Sequence, residues 1–493
     1  MDEPRATLVF VGVLGATSAL GFAARWFRRR DLLPHLTGWA LADRQCGAVV
    51  TWFLLGGSIF TAYTFVAVPG LTYGTGALGF FPLTYTVILC PVLFVLLPRL
   101  WAAARRCGAV TVADWVRARY GSPALMLAVA LTGVLATMPY VALQLLGVRA
   151  VLAAGGLYPD GLAGDLTLAV VFAVLAGATF RSGLRAPAVI SLVKGGLVFG
   201  AAIGILSAAL GRLGGFAALF SAAGQRLGPA GGVLLDPAMH SAFATLALGS
   251  ALALPMYPHV LTAAFAATGP DALRRSVVAM PAWAFVLGLF GLLGIAALAA
   301  GVTAPAGNAE VAVPLLVGEL LPDMAAGAVL GALAVGALVP AAVMSVAVGA
   351  LFTRNVYVEF FAPWATPKQQ VRVARWTSLL TKVAALAFVF GLRNQDAINL
   401  QLLGGIWILQ TFPTVGLGLF TTWWHRSALL AGWLTGMVLG TVLAVADGFT
   451  SVVAVGHVLL YVAVVALAAN LAVATVLTPV LRARSRTPTA VPE

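Results

Sequence analysis

Long apolar runs separated by short charged clusters constrain this chain more than any other feature of its sequence. Of its 493 residues, 61% are hydrophobic and only 9% are charged, which is too few charges to cover a water-facing surface. Runs such as 8–24, 81–97, 125–146, 166–180, 277–300 and 458–477 have about the 20 residues that a helix needs to cross a bilayer. Lipid offers the backbone no hydrogen-bond partner, so these runs must be helical. The sequence predicts an all-α polytopic membrane protein with about 13 transmembrane helices.

Basic residues collect in loops that share one side of the membrane when the number of spans is odd. The clusters lie at 25–30, 44, 99–119, 181–185, 274–275, 354–375, 426 and 482–486. Acidic residues such as Asp160, Asp396 and Asp447 lie in the opposite loops. The positive-inside rule then predicts a plasma (inner) membrane protein with its N-terminus outside and its C-terminus in the cytoplasm. The net charge of +13 reflects this topology, and without a contiguous basic domain no nucleic-acid partner is expected.

Two spans carry helix-breaking residues near their middle. Segment 52–69 contains Gly56-Gly57-Ser58, and segment 242–267 contains Pro255 and Pro258. Interrupted helices expose backbone N–H and C=O groups that can bind solutes and ions in transporters. Each segment opens a block of about five spans, which indicates an inverted repeat. The prediction is one transmembrane domain, 1–493, made of an extra N-terminal helix (6–24), a first repeat (48–212), a second repeat (241–423) and C-terminal helices (428–481).

Polar side chains on two further spans are candidates to face these breaks. Thr137, Tyr140 and Gln144 are spaced i, i+3 and i+7, which places them on one face of a helix. Trp407 and Gln410 lie beside a glycine pair and a proline. Each of these side chains could instead bond to a neighbouring helix. As a set that converges on two broken helices, they predict a substrate cavity.

Charged side chains inside the apolar runs are restricted to Lys194 and Lys382. Both lie within about two turns of a predicted cytoplasmic boundary, so snorkelling to the interface accounts for each of them. All 16 acidic residues fall in loops, tails or helix ends, which weakens any proton relay built on a buried carboxylate. The spans contain no metal-ligand cluster, nucleophile motif or paired acids, so no enzymatic activity is expected.

Five segments carry a resemblance to a known family. They are WFLLGGSIFTAYTFVAVP from Trp52, ATMPYVALQL from Ala136, MYPH from Met256, LFTRNVY from Leu351 and QLLGGIWILQT from Gln401. Together they resemble the sodium/solute symporter family, and most of all its branch of monocarboxylate (lactate, pyruvate, alanine) permeases, over residues 38–433. The resemblance implies a LeuT-like five-plus-five inverted-repeat fold and solute uptake driven by the sodium gradient.

The resemblance also implies positions for a coupling sodium ion. Backbone carbonyls of the first interrupted helix fall on Gly56 and Ile59, and a small residue of the eighth core helix falls on Gly336. The two positions that carry hydroxyls in the family are Val339 and Pro340 in this chain, so both hydroxyls are missing. Na⁺ is the coupling ion that the resemblance implies, and no other cofactor is expected.

The expected function is that of a secondary active transporter, a solute:cation symporter that imports a short monocarboxylate by alternating access. The carboxylate would bind at the N-terminal end of the outer half-helix, where free N–H groups and the helix dipole favour an anion. A transporter-like membrane solute sensor is one alternative; a proton-coupled carrier, with His259 the imidazole nearest the pathway, or a facilitative carrier is another. The expected partners are the small-molecule substrate and the lipid bilayer, and the oligomeric state stays open. The predicted substrate-binding residues are Ser58, Thr61, Thr64, Tyr140, Gln144, Tyr257, Trp407 and Gln410.

Overall fold

The fold is built almost entirely from helices. The structure, a computed structural model, describes residues 4–24, 35–159, 161–227, 233–305, 308–391 and 397–486. Its α-helices are α1 Pro4–Ala23, α2 Leu36–Leu41, α3 Ala48–Ile59, α4 Val68–Thr75, α5 Phe81–Arg106, α6 Val112–Tyr120, α7 Pro123–Ala154, α8 Leu162–Ser182, α9 Arg185–Leu213, α10 Phe216–Leu227, α11 His240–Ala253, α12 Pro258–Phe265, α13 Pro270–Val278, α14 Pro281–Ala300, α15 Ala312–Leu320, α16 Asp323–Phe352, α17 Pro367–Gly391, α18 Ala397–Ile408, α19 Phe412–Val415, α20 Arg426–Ala446 and α21 Val462–Arg486. Between α20 and α21, strands β1 Val452–Val455 and β2 Val458–Tyr461 form an antiparallel hairpin in which Val452 lies opposite Tyr461.

The number of membrane-crossing segments agrees with the prediction. In the described part of the chain, twelve helical segments are long and apolar enough to cross a membrane. α3 is also apolar but is too short to be counted among them. One of the twelve, 63–106, runs through both α4 and α5, which are separated by a turn at Gly76 with φ 62°. Counting α3 with α4 as one interrupted helix, and α5 as the next, makes thirteen spans. The predicted all-α polytopic class is confirmed.

Both predicted helix breaks are present. α3 ends at Ile59, Phe60 is extended (φ −93°, ψ 98°), and the chain returns to a helix through a π-type turn at Tyr63–Ala67 that leads into α4. The second break follows α11, where a 3-10 turn leads to the extended Tyr257 (φ −64°, ψ 136°) before α12 begins. Proline at the start of α12 lacks the N–H that would continue the preceding helix.

The helices are arranged around α16. In Asp323–Phe361, the segment that contains α16, 94% of the most apolar stretch is buried, against 22% for α1 and 28% for α21. α7, α9 and α17 all pack on α16, while α20 and α21 pack mainly on each other. Apolar side chains remain exposed on the outer helices, for example Leu8 on α1 and Val476 on α21, as expected for surfaces that face lipid.

A polar cluster joins α6 to the end of α16. Thr111 and Asp114 form a reciprocal capping box at the start of α6. Asp114 also accepts hydrogen bonds from Asn355 Nδ2 at 2.8 Å and Arg354 Nε at 3.3 Å, both in the π-type turn that follows α16. The Thr111 hydroxyl donates to Asn355 Oδ1 at 2.6 Å. The cluster therefore fixes the end of the central helix to a surface helix.

The prediction that two lysines snorkel to the interface is wrong. Lys194 is fully buried and Lys382 is 2% exposed. Lys382 Nζ bonds within its own helix to Ser378 Oγ at 3.1 Å, whereas Lys194 Nζ reaches a different helix. Of the charges used to predict orientation, 25–30, Asp160 and Asp396 lie outside the described residues.

Candidate functional site

The break between α3 and α4 rearranges the backbone hydrogen bonds of five consecutive residues. Phe60 N–H still donates to the Gly56 carbonyl at 2.8 Å, which closes the last turn of α3. Thr64 N–H then donates to the Thr61 carbonyl at 2.8 Å, and Tyr63 N–H donates to Thr61 Oγ1 at 3.2 Å. Thr64 N–H is therefore not available to the Phe60 carbonyl, which an uninterrupted helix would have paired with it.

Gln144 of α7 stabilises the break between α3 and α4 through a hydrogen bond to the backbone. Its Oε1 accepts the Ala62 N–H at 3.0 Å, and its Nε2 donates to the Tyr140 carbonyl at 3.1 Å, one turn earlier in α7. Gln144 is 1% exposed. A buried amide N–H without an acceptor costs about 1–3 kcal/mol, so this side chain stabilises the irregular backbone at Ala62.

The second break brings an aromatic group against the same part of α7. Tyr140, Tyr257 and His259 form a triangle of rings, with centroid separations of 5.2 Å for the two tyrosines and 5.3 Å from each tyrosine to the imidazole. All three side chains are buried. Tyr257 also approaches α18, where its hydroxyl donates to the Gln401 carbonyl at 3.4 Å. α7 therefore links the two interrupted helices.

Several polar groups around the breaks lack a protein partner. Thr64 Oγ1, the Tyr140 hydroxyl and both ring nitrogens of His259 are buried and make no hydrogen bond within the described part of the chain. Such groups cost free energy unless a solute or water satisfies them. They form a set of donors and acceptors that can bind a small polar molecule.

The structure brings together five of the eight residues predicted to bind substrate, namely Thr61, Thr64, Tyr140, Gln144 and Tyr257. Ser58 lies one turn earlier in α3, where its hydroxyl donates to the Leu54 carbonyl at 2.6 Å. Trp407 and Gln410 point towards the C-terminal helices instead. Trp407 Nε1 donates to Thr441 Oγ1 of α20 at 3.1 Å. Gln410 Oε1 accepts from Asn470 Nδ2 of α21 at 3.2 Å.

The backbone carbonyls that the first break frees belong to Gly57 and Phe60. Each lies one residue after a position expected to bind sodium, Gly56 or Ile59. The Gly56 carbonyl is taken by Phe60 N–H, and the space beside Gly56 is filled by the indole ring of Trp283, which would overlap any Cβ there. The carbonyls that reach a side chain are those of Gly57 and Phe60. They accept hydrogen bonds from Lys194 Nζ of α9 at 2.7 and 2.9 Å.

The opposite wall of this position is apolar. Gly336 of α16 abuts the ring of Phe65, and a Cβ at Gly336 would lie 2.7 Å from that ring. Val339 packs with Val335 and Ile190 in a small apolar cluster. Sodium, like other hard cations, prefers about six oxygen ligands, so these residues do not form a site that fits it.

Sequence reasoning missed the role of Lys194. The only signal for it is the depth of a lysine within an apolar run, because the helix on which Lys194 acts lies 134 residues earlier in the chain. A buried ionisable residue inside a membrane protein is a functional candidate by default.

Comparisons with known proteins agree with this architecture. A model of the sodium:solute symporter family matches residues 39–440. A monocarboxylate transport permease protein of Rhizobium johnstonii is 43% identical over 97% of this chain and 98% of its own length. An uncharacterized symporter of Bacillus subtilis is 29% identical over 88% of this chain and 86% of its own.

Solved structures show the same fold at low sequence identity. A Na⁺-coupled sialic acid symporter, in a substrate-bound outward-open state, superposes with a TM-score of 0.79 at 15% identity, covering 97% of this chain and 98% of its own. A nucleobase-cation-symport-1 family transporter superposes with a TM-score of 0.54 at 15% identity, covering 94% and 98%. The LeuT-like fold implied by the resemblance is confirmed. The chain belongs to the sodium:solute symporter family.

Proposed function

We propose that this solute:cation symporter imports a short monocarboxylate. The observation that carries the proposal is the 43% identity, over nearly the full length of both chains, to a protein named a monocarboxylate transport permease. This identity is far above the 15% shared with the sialic acid symporter.

The chemistry of the breaks supports a small anionic solute. Thr64, Tyr140 and His259 supply buried polar groups that have no hydrogen-bond partner among the described residues. A carboxylate can accept hydrogen bonds from hydroxyl and imidazole donors, and these bonds are strong when the acceptor is ionised. The rings of Tyr140 and Tyr257, 5.2 Å apart, would enclose the short carbon skeleton of such a solute. All these side chains are fully buried, which favours a solute of a few heavy atoms over a large one.

Alternating access follows from the positions of the two breaks. Each break opens a block of five spans: α3/α4 to α9, and α11/α12 to α18. We assign these blocks to the repeats 48–212 and 241–423, with 6–24 and 428–481 as additional helices. Rocking of one bundle against the other would expose the region between Thr61 and Tyr257 to each side in turn. The basic loops favour an inner-membrane protein with its N-terminus outside and its C-terminus in the cytoplasm.

Counterflow in proteoliposomes tests the substrate class without assuming any coupling ion. Vesicles are loaded with unlabelled pyruvate, and entry of labelled pyruvate is followed in the presence of lactate, alanine, acetate, or sialic acid as an unrelated acid. We expect exchange that lactate and other short monocarboxylates inhibit and that sialic acid does not.

Two variants locate the exchange activity. Thr64→Val removes an unpaired hydroxyl at the break and should weaken exchange. Thr435→Val, on the peripheral α20, removes a hydroxyl that bonds only to the Ala431 carbonyl of its own helix and should leave exchange unchanged. Absence of exchange with every short monocarboxylate in the wild-type protein would refute the substrate class.

A further inference from the structure

The two carbonyls at the end of α3 are freed by the break itself. In a continuous helix the Gly57 carbonyl would accept from Thr61 N–H and the Phe60 carbonyl from Thr64 N–H. Thr64 N–H donates to Thr61 instead, and the chain at Phe60 is extended. Buried carbonyls left in this way need another donor, and a cation is the strongest donor available to them.

Lys194 supplies that donor from α9. Its Nζ lies 2.7 Å from the Gly57 carbonyl oxygen and 2.9 Å from the Phe60 carbonyl oxygen, and the residue is fully buried. The Phe65 ring lies on a third side, with its centroid 5.5 Å from Nζ. Close packing of α9 on α3 makes this reach possible, because a Cβ at Gly195 would overlap the Phe53 ring.

Lys194 has no neutralising carboxylate among the described residues. Among the residues that the structure describes, Lys194 forms no ion pair within 4.0 Å. α9 contacts α1, α3, α8, α10, α14, α15 and α16, of which α3 and α14 carry no ionisable side chain. In the π-type turn, Tyr63 is the ionisable residue nearest Phe65 in sequence. The charged groups of α9 itself and of its other contacting helices all lie in first or last turns, and they are Arg5, Asp165, Arg181, Arg185, Arg212, Arg226, Glu319 and Asp323. The nearest of these along α9, Arg185, is about 13 Å away along the helix axis.

The α16 wall offers no alternative set of cation ligands. Val339 and Pro340 stand where hydroxyls were expected, and Val339 is packed against Ile190, which lies one turn before Lys194 on α9. The nearest hydroxyl further along α16, on Ser345, donates to the Ala342 carbonyl at 2.9 Å. The Lys194 ammonium is therefore bonded to the Gly57 and Phe60 carbonyls. Few other oxygen atoms that could bind a metal ion lie beside them.

We propose that the Lys194 amine is the coupling-cation site of this symporter, in place of sodium, and that the ion moved with the substrate is the proton that this amine carries. The inference rests on the proposed import of a monocarboxylate. The first break holds both the hydroxyls of Thr61 and Thr64, which can donate to the substrate, and the Lys194 ammonium, which is bonded to the Phe60 carbonyl. The charges of the bound anion and the ammonium then attract each other across a buried region, which makes their binding mutually favourable.

The proton step is a simple acid–base exchange with water. With the site open to the cytoplasm, one N–H bond of the ammonium breaks, its electron pair stays on Nζ, and water accepts the proton. With the site open to the outside, the Nζ lone pair takes a proton from hydronium. Charge-assisted hydrogen bonds are about twice as strong as neutral ones, so protonation tightens the hold of α9 on the end of α3.

The first experiment asks whether a proton gradient or a sodium gradient drives uptake by the wild-type protein. Proteoliposomes receive labelled pyruvate under an inward pH gradient in sodium-free buffer, or under an inward sodium gradient at equal pH. Protein-free vesicles correct for diffusion of the undissociated acid. We expect accumulation under the pH gradient alone and none above that background under the sodium gradient alone. Accumulation that requires sodium overturns the proposal while leaving the substrate class intact.

Matched lysine variants then test the residue. Lys194→Met should lose accumulation driven by the pH gradient, down to the level of protein-free vesicles. Its counterflow exchange of pyruvate needs no coupling ion and should stay above that of protein-free vesicles, at a rate below the wild type because the attraction between the ammonium and the bound anion is lost. Lys382→Met removes the other buried lysine, whose hydrogen bonds to described residues all lie within α17, and should keep driven accumulation. Driven accumulation by Lys194→Met equal to that of Lys382→Met overturns the proposal. The wild-type experiment decides the ion even if Lys194→Met does not fold, and absence of wild-type exchange would refute the substrate class instead.

Discussion

Replacing Gln144 by leucine should weaken substrate binding because it removes the acceptor that holds the first break. Gln144 Oε1 accepts the Ala62 N–H at 3.0 Å in a fully buried setting. Leucine has a similar volume but no acceptor, so the Ala62 N–H is left unpaired. An unpaired buried donor costs about 1–3 kcal/mol.

The variant bears this cost in every conformation in which the Ala62 N–H still points at position 144, as it does in the structure. Without substrate, the break can rearrange to pair this N–H elsewhere, whereas the bound state needs the break as it is. We therefore expect the cost to appear as an affinity for pyruvate lower by about 5–150-fold. Equilibrium binding of labelled pyruvate to the purified protein measures this change directly.

A matched variant controls for the loss of an amide. Gln370 lies at the start of α17, where its Nε2 donates to the Ala365 carbonyl at 2.9 Å, outside the site. Gln370→Leu should bind pyruvate with wild-type affinity. If Gln144→Leu also binds with wild-type affinity and melts at the wild-type temperature, then Gln144 does not hold the break, and the reasoning is refuted.

Three further substitutions test other parts of the structure. Tyr140→Phe removes a hydroxyl without a protein partner, so pyruvate affinity should fall about fivefold with no change in melting temperature; a lower melting temperature would show that the hydroxyl has a structural partner. Gly336→Val places a side chain against the Phe65 ring, where overpacking should cost about 1–3 kcal/mol and lower the melting temperature; wild-type stability would show that α16 can shift. Asp114→Ala removes a cap and the acceptor of Asn355, so a melting temperature below that of the wild type is expected, and an unchanged one would show that the cluster adds no stability.

Much of the fold could be predicted because lipid limits the choices. A run of about 20 apolar residues has to be a helix, and glycine and proline within such runs mark where it can be interrupted. Pro258 begins α12 directly after the second break, as expected. The first break falls at Phe60, after the Gly56-Gly57-Ser58 sequence, because Gly56 and Gly57 remain helical and give room to Trp283 and to α9 instead.

The site was less predictable because it depends on which faces meet. Helical spacing placed Tyr140 and Gln144 on one face of α7, and that face does meet the breaks. Helical spacing could not predict that Trp407 and Gln410 face α20 and α21. The sequence around these two residues does not indicate which other helix packs against them. The burial of Lys194 was not predicted because the carbonyls that it contacts lie on another helix.

A structure of the protein with bound pyruvate would show whether the carboxylate binds at the first break. We expect density for the carboxylate within hydrogen-bond distance of Thr64, Tyr140 or His259, with Lys194 Nζ still bonded to the Gly57 and Phe60 carbonyls. Pyruvate bound elsewhere, or a metal ion in the position of Nζ, would contradict this expectation.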